Sequence, residues 1–391
     1  MILKKIKLHN WKNFQNCEVD LSDRCFIIGA NASGKSNFID ALRFLRDIAK
    51  QSGGLQTAVE ERGGITKIRC LAARTQSNVS ITVELGNPNE EQNIWRYHLD
   101  FAHTGGGVIK SQVKIIKEEV YSYRDKKTIM RRDNKTENED EETLKYTHLE
   151  QANANREFRE LQAFFQNIEY LNVIPQMVRE SSSIVTSFSK EDFYGRNFLE
   201  KLAKMNEKTR NSYFRRINEC LKLAVPQLEE LQFIKDKMSI PHLEAKYVHW
   251  RAKGSKQQEM QFSDGTLRLI GFLFALLDNN GVILLEEPEI NLHSGIISQI
   301  PAFISKIQRS KKSKSQILIT THSYDILSDS GISTDEVLVL QNTQEGTTIQ
   351  KLTDITDLKP IVDAGLSIAD AVIPFTKPKE IEKLSQLTIQ F

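Results

Sequence analysis

The chain has 391 residues, of which 39% are hydrophobic and 27% are charged. This length allows roughly two or three domains, and no apolar run approaches the roughly 20 residues that span a bilayer, so no membrane partner is expected. Lys and Arg number 53 against 51 Asp and Glu, and the net charge of +2 neither requires nor excludes a nucleic-acid partner. The N-terminus lacks a secretory signal and the four cysteines form no Cys-x-x-Cys pair, which predicts a cytoplasmic protein without a zinc site or a disulfide framework.

The first third of the chain predicts strands around one helix. Residues 2–8 form a short strand pattern, and the apolar run 25–28 ends at Gly29, as a buried central strand does. From Ser36, apolar residues recur at three- and four-residue spacing, which predicts a helix. Residues 66–132 are β-rich, with Gly105-Gly106-Gly107 as a turn, and predict an antiparallel meander.

The rest of the chain changes character twice. Residues 133–147 are dense in charge and predict an exposed loop or a partly disordered connection. Helical patterns dominate from about 150 to 225, and strand patterns return between about 229 and 262. Helices at 266–277 and 296–307 then alternate with strands at 282–285, 316–319 and 337–340. Such alternation predicts a parallel sheet covered by helices. We divide the chain into an N-terminal lobe (1–132), a charged loop with a helical insertion (133–240) and a C-terminal lobe (241–391).

The segment from Gly29 to Ser36 has the sequence of a phosphate-binding loop. Gly29-Ala30-Asn31-Ala32-Ser33-Gly34-Lys35-Ser36 fits G-x-x-x-x-G-K-[ST] at every fixed position, between the buried strand and the helix. We predict that it binds ATP, with Lys35 at the β- and γ-phosphates and the Ser36 hydroxyl on Mg²⁺. The predicted nucleotide contacts are Gly29, Asn31, Ala32, Ser33, Gly34, Lys35, Ser36 and Asn37. The competing interpretation is a Gly/Ser turn before a helix.

An acidic cluster follows the strand at 282–285. Glu286 and Glu287 stand at the carboxyl end of this strand, where open α/β sheets bind their ligands. Glu286 is the candidate metal ligand, and Glu287 is the candidate base that polarises the attacking water. Taken alone, the cluster is better explained as a solvated acidic turn after a strand, but the phosphate-binding loop upstream makes that interpretation the weaker one. The role of Glu289 stays open.

Four motifs in chain order resemble one family. They are the phosphate-binding loop, Phe262-Ser263-Asp264-Gly265-Thr266-Leu267, Glu286-Glu287-Pro288-Glu289-Ile290-Asn291-Leu292-His293 and Thr320-Thr321-His322-Ser323. Together they resemble an ABC-type ATPase head of the RecF/SMC/OLD kind, and most closely the stand-alone bacterial AAA family ATPases with a Glu-Pro-Glu-x-x-Leu-His element. Residues 6–14 and Arg62-Gly63-Gly64 are similar to such heads as well. The resemblance spans residues 1–70 and 240–340.

This resemblance implies a fold and a composite site. The fold is an α/β P-loop NTPase with a β-rich antiparallel lobe and an inserted helical subdomain. Ser263 and Gly265 correspond to the signature motif, which contacts the γ-phosphate held by a second copy, so an ATP-dependent homodimer or higher oligomer is implied. An ordinary helix cap also explains Ser263-Asp264-Gly265. His322 corresponds to the histidine that senses the γ-phosphate, with Asp325 or Arg268 as open candidates for assisting it.

Two departures from the family pattern affect the expected chemistry. The metal-binding position is usually Asp, and Glu286 stands there, which favours slow hydrolysis. The family's Mg²⁺-contacting Gln is not identified by the sequence. The candidates are Gln56, Gln76, Gln112 and Gln151.

Three functions stay open at this stage. The first is an ATPase that senses or handles DNA in repair or anti-phage defence with a partner effector; the basic clusters Arg131-Arg132, Arg215-Arg216 and Lys311-Lys312-x-Lys314 favour it, although each is also compatible with a solvated face. The second is an ATP-gated scaffold that holds a nuclease or toxin-like subunit with little turnover. The third, a transporter ATPase subunit, is disfavoured by the long insertion and by the Ser-Asp-Gly-Thr signature.

Overall fold

The computed structural model describes residues 1–73, 77–88, 90–103, 112–134, 140–180, 197–250, 255–279, 281–310 and 315–377. The predicted turn Gly105-Gly106-Gly107, Gln76 and the cluster Lys311-Lys312-x-Lys314 lie outside these residues. The chain divides into two compact units, the first comprising Met1–Glu169, Asn280–Leu284 and Lys312–Phe391, and the second Tyr170–Asn279 and Leu285–Lys311. The sequence-based division at residues 132 and 240 stays a prediction.

The strands of the described residues are β1 (Ile2–Trp11), β2 (Phe14–Asp20), β3 (Arg24–Gly29), β4 (Val79–Gly86), β5 (Asn93–His103), β6 (Val113–Ser122), β7 (Lys127–Asp133), β8 (Glu169–Leu171), β9 (Leu228–Lys235), β10 (Pro241–Tyr247), β11 (Ser255–Gln258), β12 (Val282–Glu286), β13 (Gln316–Thr320), β14 (Val337–Thr343) and β15 (Gly346–Lys351).

The helices are α1 (Lys35–Ala49), α2 (Leu55–Glu60), α3 (Ile65–Ile68), α4 (Arg159–Gln166), α5 (Pro175–Arg179), α6 (Phe198–Lys204), α7 (Glu207–Ala224), α8 (Asp264–Asp278), α9 (Ser294–Ile297), α10 (Ile300–Ser310), α11 (Tyr324–Leu327), α12 (Lys359–Asp363) and α13 (Ile368–Thr376). None of these helices combines the length and the apolar character that crossing a bilayer requires.

An antiparallel sheet forms the β-rich part of the first unit. Its strand order is β2-β1-β4-β5-β6-β7. The consecutive pairs β4–β5, β5–β6 and β6–β7 are antiparallel, so the predicted meander is confirmed. Alternate residues of β5 are buried, as expected for a strand with one face on a core. Phe101 stacks on Phe44 of α1 with ring centroids 5.4 Å apart, and Tyr97 contacts Phe165 of α4.

The second sheet has the order β15-β14-β3-β13-β12-β8. All six residues of β3 are buried, and β3 pairs parallel with both β13 and β14, which confirms the predicted buried central strand of a parallel sheet. The hairpin partner β15 is antiparallel to β14. Because β3 and β13 run in the same direction, their carboxyl ends meet at one edge of the sheet.

The second unit combines helices with the three-stranded antiparallel sheet β11-β10-β9. Phe274 of α8 contacts the rings of Phe198 and Tyr213. One sequence-based element is wrong: the single helix predicted at 296–307 is two helices, α9 and α10. Pro301 lies in the first turn of α10, where backbone N–H groups have no partner within the helix, so its missing N–H costs no hydrogen bond. In the interior of one continuous helix, the same proline would remove a hydrogen bond and break the helix.

Arg62, from the Arg62-Gly63-Gly64 element, binds the helix that follows the phosphate-binding loop. Its guanidinium donates to Asp40 Oδ1 at 2.9 Å and to Asp47 Oδ2 at 2.8 Å, both on α1. Burial alone would raise the pKa of Asp47, but the positive charges of Arg46, Arg62 and Lys50 lower it to about 2. The buried ion pairs therefore hold α1 against the segment between α2 and α3. The role of Arg62 in the described residues is structural.

Candidate functional site

The predicted phosphate-binding loop is a tight turn between β3 and α1. Gly34 has a φ of 98° and Ala32 a φ of 61°, both in the left-handed region, and Ser33 N donates to Ala30 O at 3.1 Å. A Cβ on Gly34 would lie 1.9 Å from Asn13 Nδ2, and one on Gly29 would lie 2.5 Å from Ser33 Oγ. Side chains are therefore excluded at both glycine positions of the motif.

Two residues outside the motif support this loop. Asn13 Nδ2 and Thr347 Oγ1 each donate to Ser33 O at 3.0 Å, and Asn37 Nδ2 donates to Asn13 Oδ1 at 2.8 Å. Asn13 lies in the opening segment that resembles ATPase heads, which was the available signal for it. Thr347 on β15 had no such signal, because nothing in its sequence neighbourhood points to a distant loop.

Lys35 and His322 lie together. Lys35 is 7% exposed, and its Nζ donates to Gly29 O at 3.2 Å and to Ala30 O at 3.3 Å, and contacts Nε2 of His322. The parallel register explains this contact, since Thr320 of β13 pairs with Ile27 of β3 and His322 follows two residues later. The structure thus joins two of the sequence-predicted site residues; their roles in catalysis stay predictions.

The loop has the chemistry of a phosphate site. Asn31, Ala32 and Ser36 are exposed at the N-terminus of the 15-residue helix α1, and Asn37 is partly exposed. Ser33 is buried, and its Oγ has no hydrogen-bond partner among the described residues. A nucleotide phosphate fits this loop for three reasons. Backbone N–H groups lie at a helix N-terminus, a lysine is buried beside them, and the two glycine positions have no room for a side chain. The Ser36 hydroxyl at the start of α1 is an oxygen ligand of the kind that Mg²⁺ takes.

In the second unit, Glu286 ends β12 and is bonded to a tyrosine that the sequence analysis missed. Tyr170 Oη donates to Glu286 Oε2 at 2.5 Å, and Tyr170 is 5% exposed. Glu287, the next residue, has a φ of 42°, a left-handed conformation that is uncommon for a side chain of this type. Such local strain is found preferentially at functional positions.

The signature segment packs against the acidic turn within the same unit. Ser263 is exposed and is the N-cap of α8, with its Oγ accepting from Thr266 N at 3.2 Å, so the helix-cap interpretation holds structurally. A Cβ on Gly265 would lie 2.4 Å from Asn291 O. Arg179 Nη2 donates to Phe262 O at 2.7 Å and to Asp264 Oδ1 at 2.6 Å, and the sequence analysis missed this residue too.

The residues left open by the sequence have mixed outcomes. The Gln56 side chain is hydrogen-bonded to the backbone: Nε2 donates to Val113 O at 2.9 Å and to Lys145 O at 2.8 Å. Gln56 therefore has a structural role. Burial lowers the pKa of Arg268, while Asp264 and Glu287 raise it, so these three charges influence one another in the second unit. The Mg²⁺-contacting Gln and the roles of Arg268 and Asp325 remain unassigned.

The basic clusters separate into two classes. Arg132 is buried and donates to the buried Glu118 at 2.9 Å, so the interpretation of Arg131-Arg132 as a basic surface pair is wrong for Arg132. The reason is the register of β6 and β7, which places Glu118 opposite Arg132. Arg215 and Arg216 on α7 are both exposed.

Comparisons with known proteins point to one family and one fold. The family model described as "AAA domain, putative AbiEii toxin, Type IV TA system" matches residues 25–328, and the model for the "P-loop containing region of AAA domain" matches residues 3–46. No curated protein matches the chain significantly.

Two solved structures of SMC heads are similar in fold. One is the SmcHead bound to the C-winged helix domain of ScpA, 12% identical, with a TM-score of 0.55 over 90% of this chain and 98% of that chain. The other is the Smc head with an extended coiled coil bound to the C-terminal domain of ScpA derived from Pyrococcus furiosus, 12% identical, with a TM-score of 0.51 over 93% and 99%. The predicted P-loop NTPase head fold is thereby confirmed.

Proposed function

The chain belongs to the AAA domain family described as putative AbiEii toxin, Type IV TA system, and we propose from this premise that it is an ATP-hydrolysing switch that dimerises around the nucleotide. The observation that supports this most directly is the tight loop with Lys35 buried inside it and in contact with His322. A structural turn needs no buried lysine, and a nucleotide phosphate needs a positive charge at this place.

Each site residue has a proposed task. Lys35 exchanges the carbonyls of Gly29 and Ala30 for the β- and γ-phosphates, and backbone N–H groups of the loop bind the same oxygens. Ser36 and Glu286 hold Mg²⁺, which neutralises phosphate charge when bound. Glu287 orients and polarises the attacking water. His322 detects the γ-phosphate through its position beside Lys35.

The second half of the site is proposed to come from another copy. Ser263 and Asp264 are exposed at the N-terminus of the 15-residue helix α8, where the macrodipole and the free N–H groups favour an anion. The Ser263 hydroxyl and the Gly265 backbone would therefore contact the γ-phosphate held by the partner copy. Since Glu286 replaces the usual Asp, the turnover is proposed to be slow, and the protein acts as a switch between a monomer and an ATP-bound dimer.

Mixing two inactive variants tests this composite site. Lys35→Ala removes the phosphate-binding charge, and Ser263→Arg replaces the hydroxyl that is proposed to contact the γ-phosphate held by the partner copy. Each variant alone is expected to lose at least about tenfold in ATP hydrolysis. An equimolar mixture is expected to recover about a quarter of the wild-type rate, because half of randomly paired dimers are mixed and each of these has one intact site.

The readout is phosphate release from the mixture compared with the sum of the separate variants. Ser263→Arg is expected to keep wild-type affinity for a fluorescent ATP analogue, which shows that its own loop is intact. Activity of the mixture equal to that sum would place the complete site within one copy and exclude the dimer model.

The wider role is proposed to be DNA repair or anti-phage defence, in the cytoplasm and with a partner effector. The family description names a putative toxin of a toxin–antitoxin system, and the two SMC head structures were solved with a domain of ScpA bound. Arg215 and Arg216, exposed on α7, offer DNA two adjacent cations. The alternative is a scaffold that holds a nuclease or toxin-like subunit with little turnover, and a transporter subunit gains no support from the structure.

Charge reversal on α7 tests DNA binding. Arg215→Glu together with Arg216→Glu is expected to weaken binding to duplex DNA at least about tenfold at low salt, because phosphate contacts supply most of the affinity. The matched control reverses Lys235 and Lys237, two exposed cations of the same unit that lie outside α7, and is expected to change affinity less than about threefold. Fluorescence anisotropy across a salt series is the measurement. If the wild-type protein does not bind DNA at low salt, or if both double variants lose the same affinity for DNA, Arg215 and Arg216 do not form a DNA-binding surface.

A further inference from the structure

Tyr170 of the second unit lies outside the four family motifs. It lies in the three-residue strand β8, which neighbours β12 in the sheet, and only 5% of it is exposed. Its hydroxyl donates to Glu286 Oε2 at 2.5 Å. A phenylalanine would fill the same volume, so the hydroxyl is explained by the carboxylate that it binds and not by packing.

The hydrogen bond from Tyr170 has a specific consequence because its acceptor is Glu286. Glu286 stands where the resembling ATPases usually have Asp, and its side chain has one more rotatable bond than Asp. A metal ligand has to be held in one orientation, and fixing a free glutamate side chain costs conformational entropy. A hydrogen bond to Oε2 fixes the carboxylate before the cation arrives and leaves Oε1 available to it. Carboxylates that bind metals are commonly oriented by such outer partners.

We propose that Tyr170 is a positioning residue that holds Glu286 ready for Mg²⁺ and so allows Glu to replace Asp at this position. The inference rests on the proposed function, because it takes Glu286 as the metal ligand. Tyr170 touches neither nucleotide nor metal in this proposal; it acts through the Glu286 carboxylate.

The test follows nucleotide binding as a function of free Mg²⁺. For Tyr170→Phe, we expect a rise of about tenfold in the Mg²⁺ concentration at which the affinity for a fluorescent ATP analogue is half of its maximum. Loss of a residue that orients a metal ligand typically lowers metal affinity about 10- to 100-fold, and tenfold is the lower end of that range. Affinity measured in EDTA is expected to stay at the wild-type value, since the phosphate-binding loop is unchanged. This readout needs no hydrolysis.

Tyr97 provides the matched control. It is fully buried in the first unit, and its hydroxyl donates to Glu118 Oε1 at 3.0 Å, so Tyr97→Phe removes the same type of bond from the β-rich lobe. Both Phe variants are expected to lower the melting temperature by similar amounts. Only Tyr170→Phe is expected to change the Mg²⁺ dependence, and an equal change in both would reduce Tyr170 to a general structural role and overturn the proposal.

A double-mutant cycle with Glu286→Asp supplies the second readout. The shorter Asp side chain moves its carboxylate away from the Tyr170 hydroxyl, so removing that hydroxyl is expected to change the Mg²⁺ dependence of the Glu286→Asp protein by less than about twofold. Independent, multiplying effects of the two substitutions would contradict the proposal.

Glu286→Gln separates the two levels of the argument. If it raises the Mg²⁺ requirement while Tyr170→Phe does not, Glu286 binds the metal and the positioning role of Tyr170 is wrong. If neither substitution changes the Mg²⁺ requirement while the protein still binds ATP, the assignment of Glu286 in the proposed function fails first.

Discussion

Glu287→Gln is expected to lower ATP hydrolysis by about a hundredfold or more, within the range that a general base contributes, while the affinity for ATP stays near the wild-type value. Gln has the shape of Glu but carries no charge, so it keeps the turn in which Glu287 adopts a φ of 42° and loses the ability to polarise water. Because the nucleotide is then not consumed, the ATP-bound dimer accumulates. Phosphate release and light scattering with and without ATP measure both effects.

The comparison with Glu286→Gln makes this result specific. Both substitutions remove one charge from adjacent residues, but the loss at Glu286 is expected to raise the Mg²⁺ requirement for binding, whereas the loss at Glu287 is not. A Glu287→Gln protein that stays monomeric with ATP, or that hydrolyses ATP at the wild-type rate, contradicts the roles assigned to both the turn and the dimer. Wild-type protein with ADP should be monomeric and serves as the baseline.

The parts of the site that the sequence predicted have a common physical basis. The phosphate-binding loop is contiguous, so its residues define both its chemistry and its backbone, and the structure forms the expected turn with Gly34 at a φ of 98°. His322 was identified through the family resemblance, and it lies beside the loop because the carboxyl ends of parallel strands share an edge of the sheet. The contact between Lys35 and His322 follows from that rule and from the register of β3 and β13.

The residues that the sequence did not reveal lack such a rule. Tyr170, Arg179 and Thr347 act through side-chain contacts with distant segments, and no spacing or motif marks them. Arg132 shows the opposite error, since two adjacent arginines indicated a basic surface and the strand register buried one of them against Glu118. The missing information in each case is tertiary: which segment lies beside which, and in what register.

Gly34→Ala is expected to weaken ATP binding by about a hundredfold or more, as misplacement of a site by about 1 Å can do, and to abolish measurable hydrolysis. The new Cβ would lie 1.9 Å from Asn13 Nδ2 and 2.6 Å from Asn13 Cγ. Asn13 cannot move aside without cost, because it donates to Ser33 O and Thr347 Oγ1 and accepts from Asn37. The loop has to shift instead, and its N–H groups leave the positions that converge on a phosphate.

Gly64→Ala separates this clash from backbone strain. Gly64 has a φ of 90°, close to that of Gly34, but a Cβ there would meet nothing within 4 Å. With its ψ of 170°, Gly64 lies in a backbone region that is essentially restricted to glycine, so Gly64→Ala imposes backbone strain of roughly 1–3 kcal/mol without a clash. It is expected to lower the melting temperature while ATP affinity stays at the wild-type value. Adding Asn13→Ala to Gly34→Ala removes the clashing atoms and is expected to recover part of the lost affinity. Equal losses of affinity at Gly34 and Gly64 would mean that strain, and not the contact with Asn13, determines the shape of the loop.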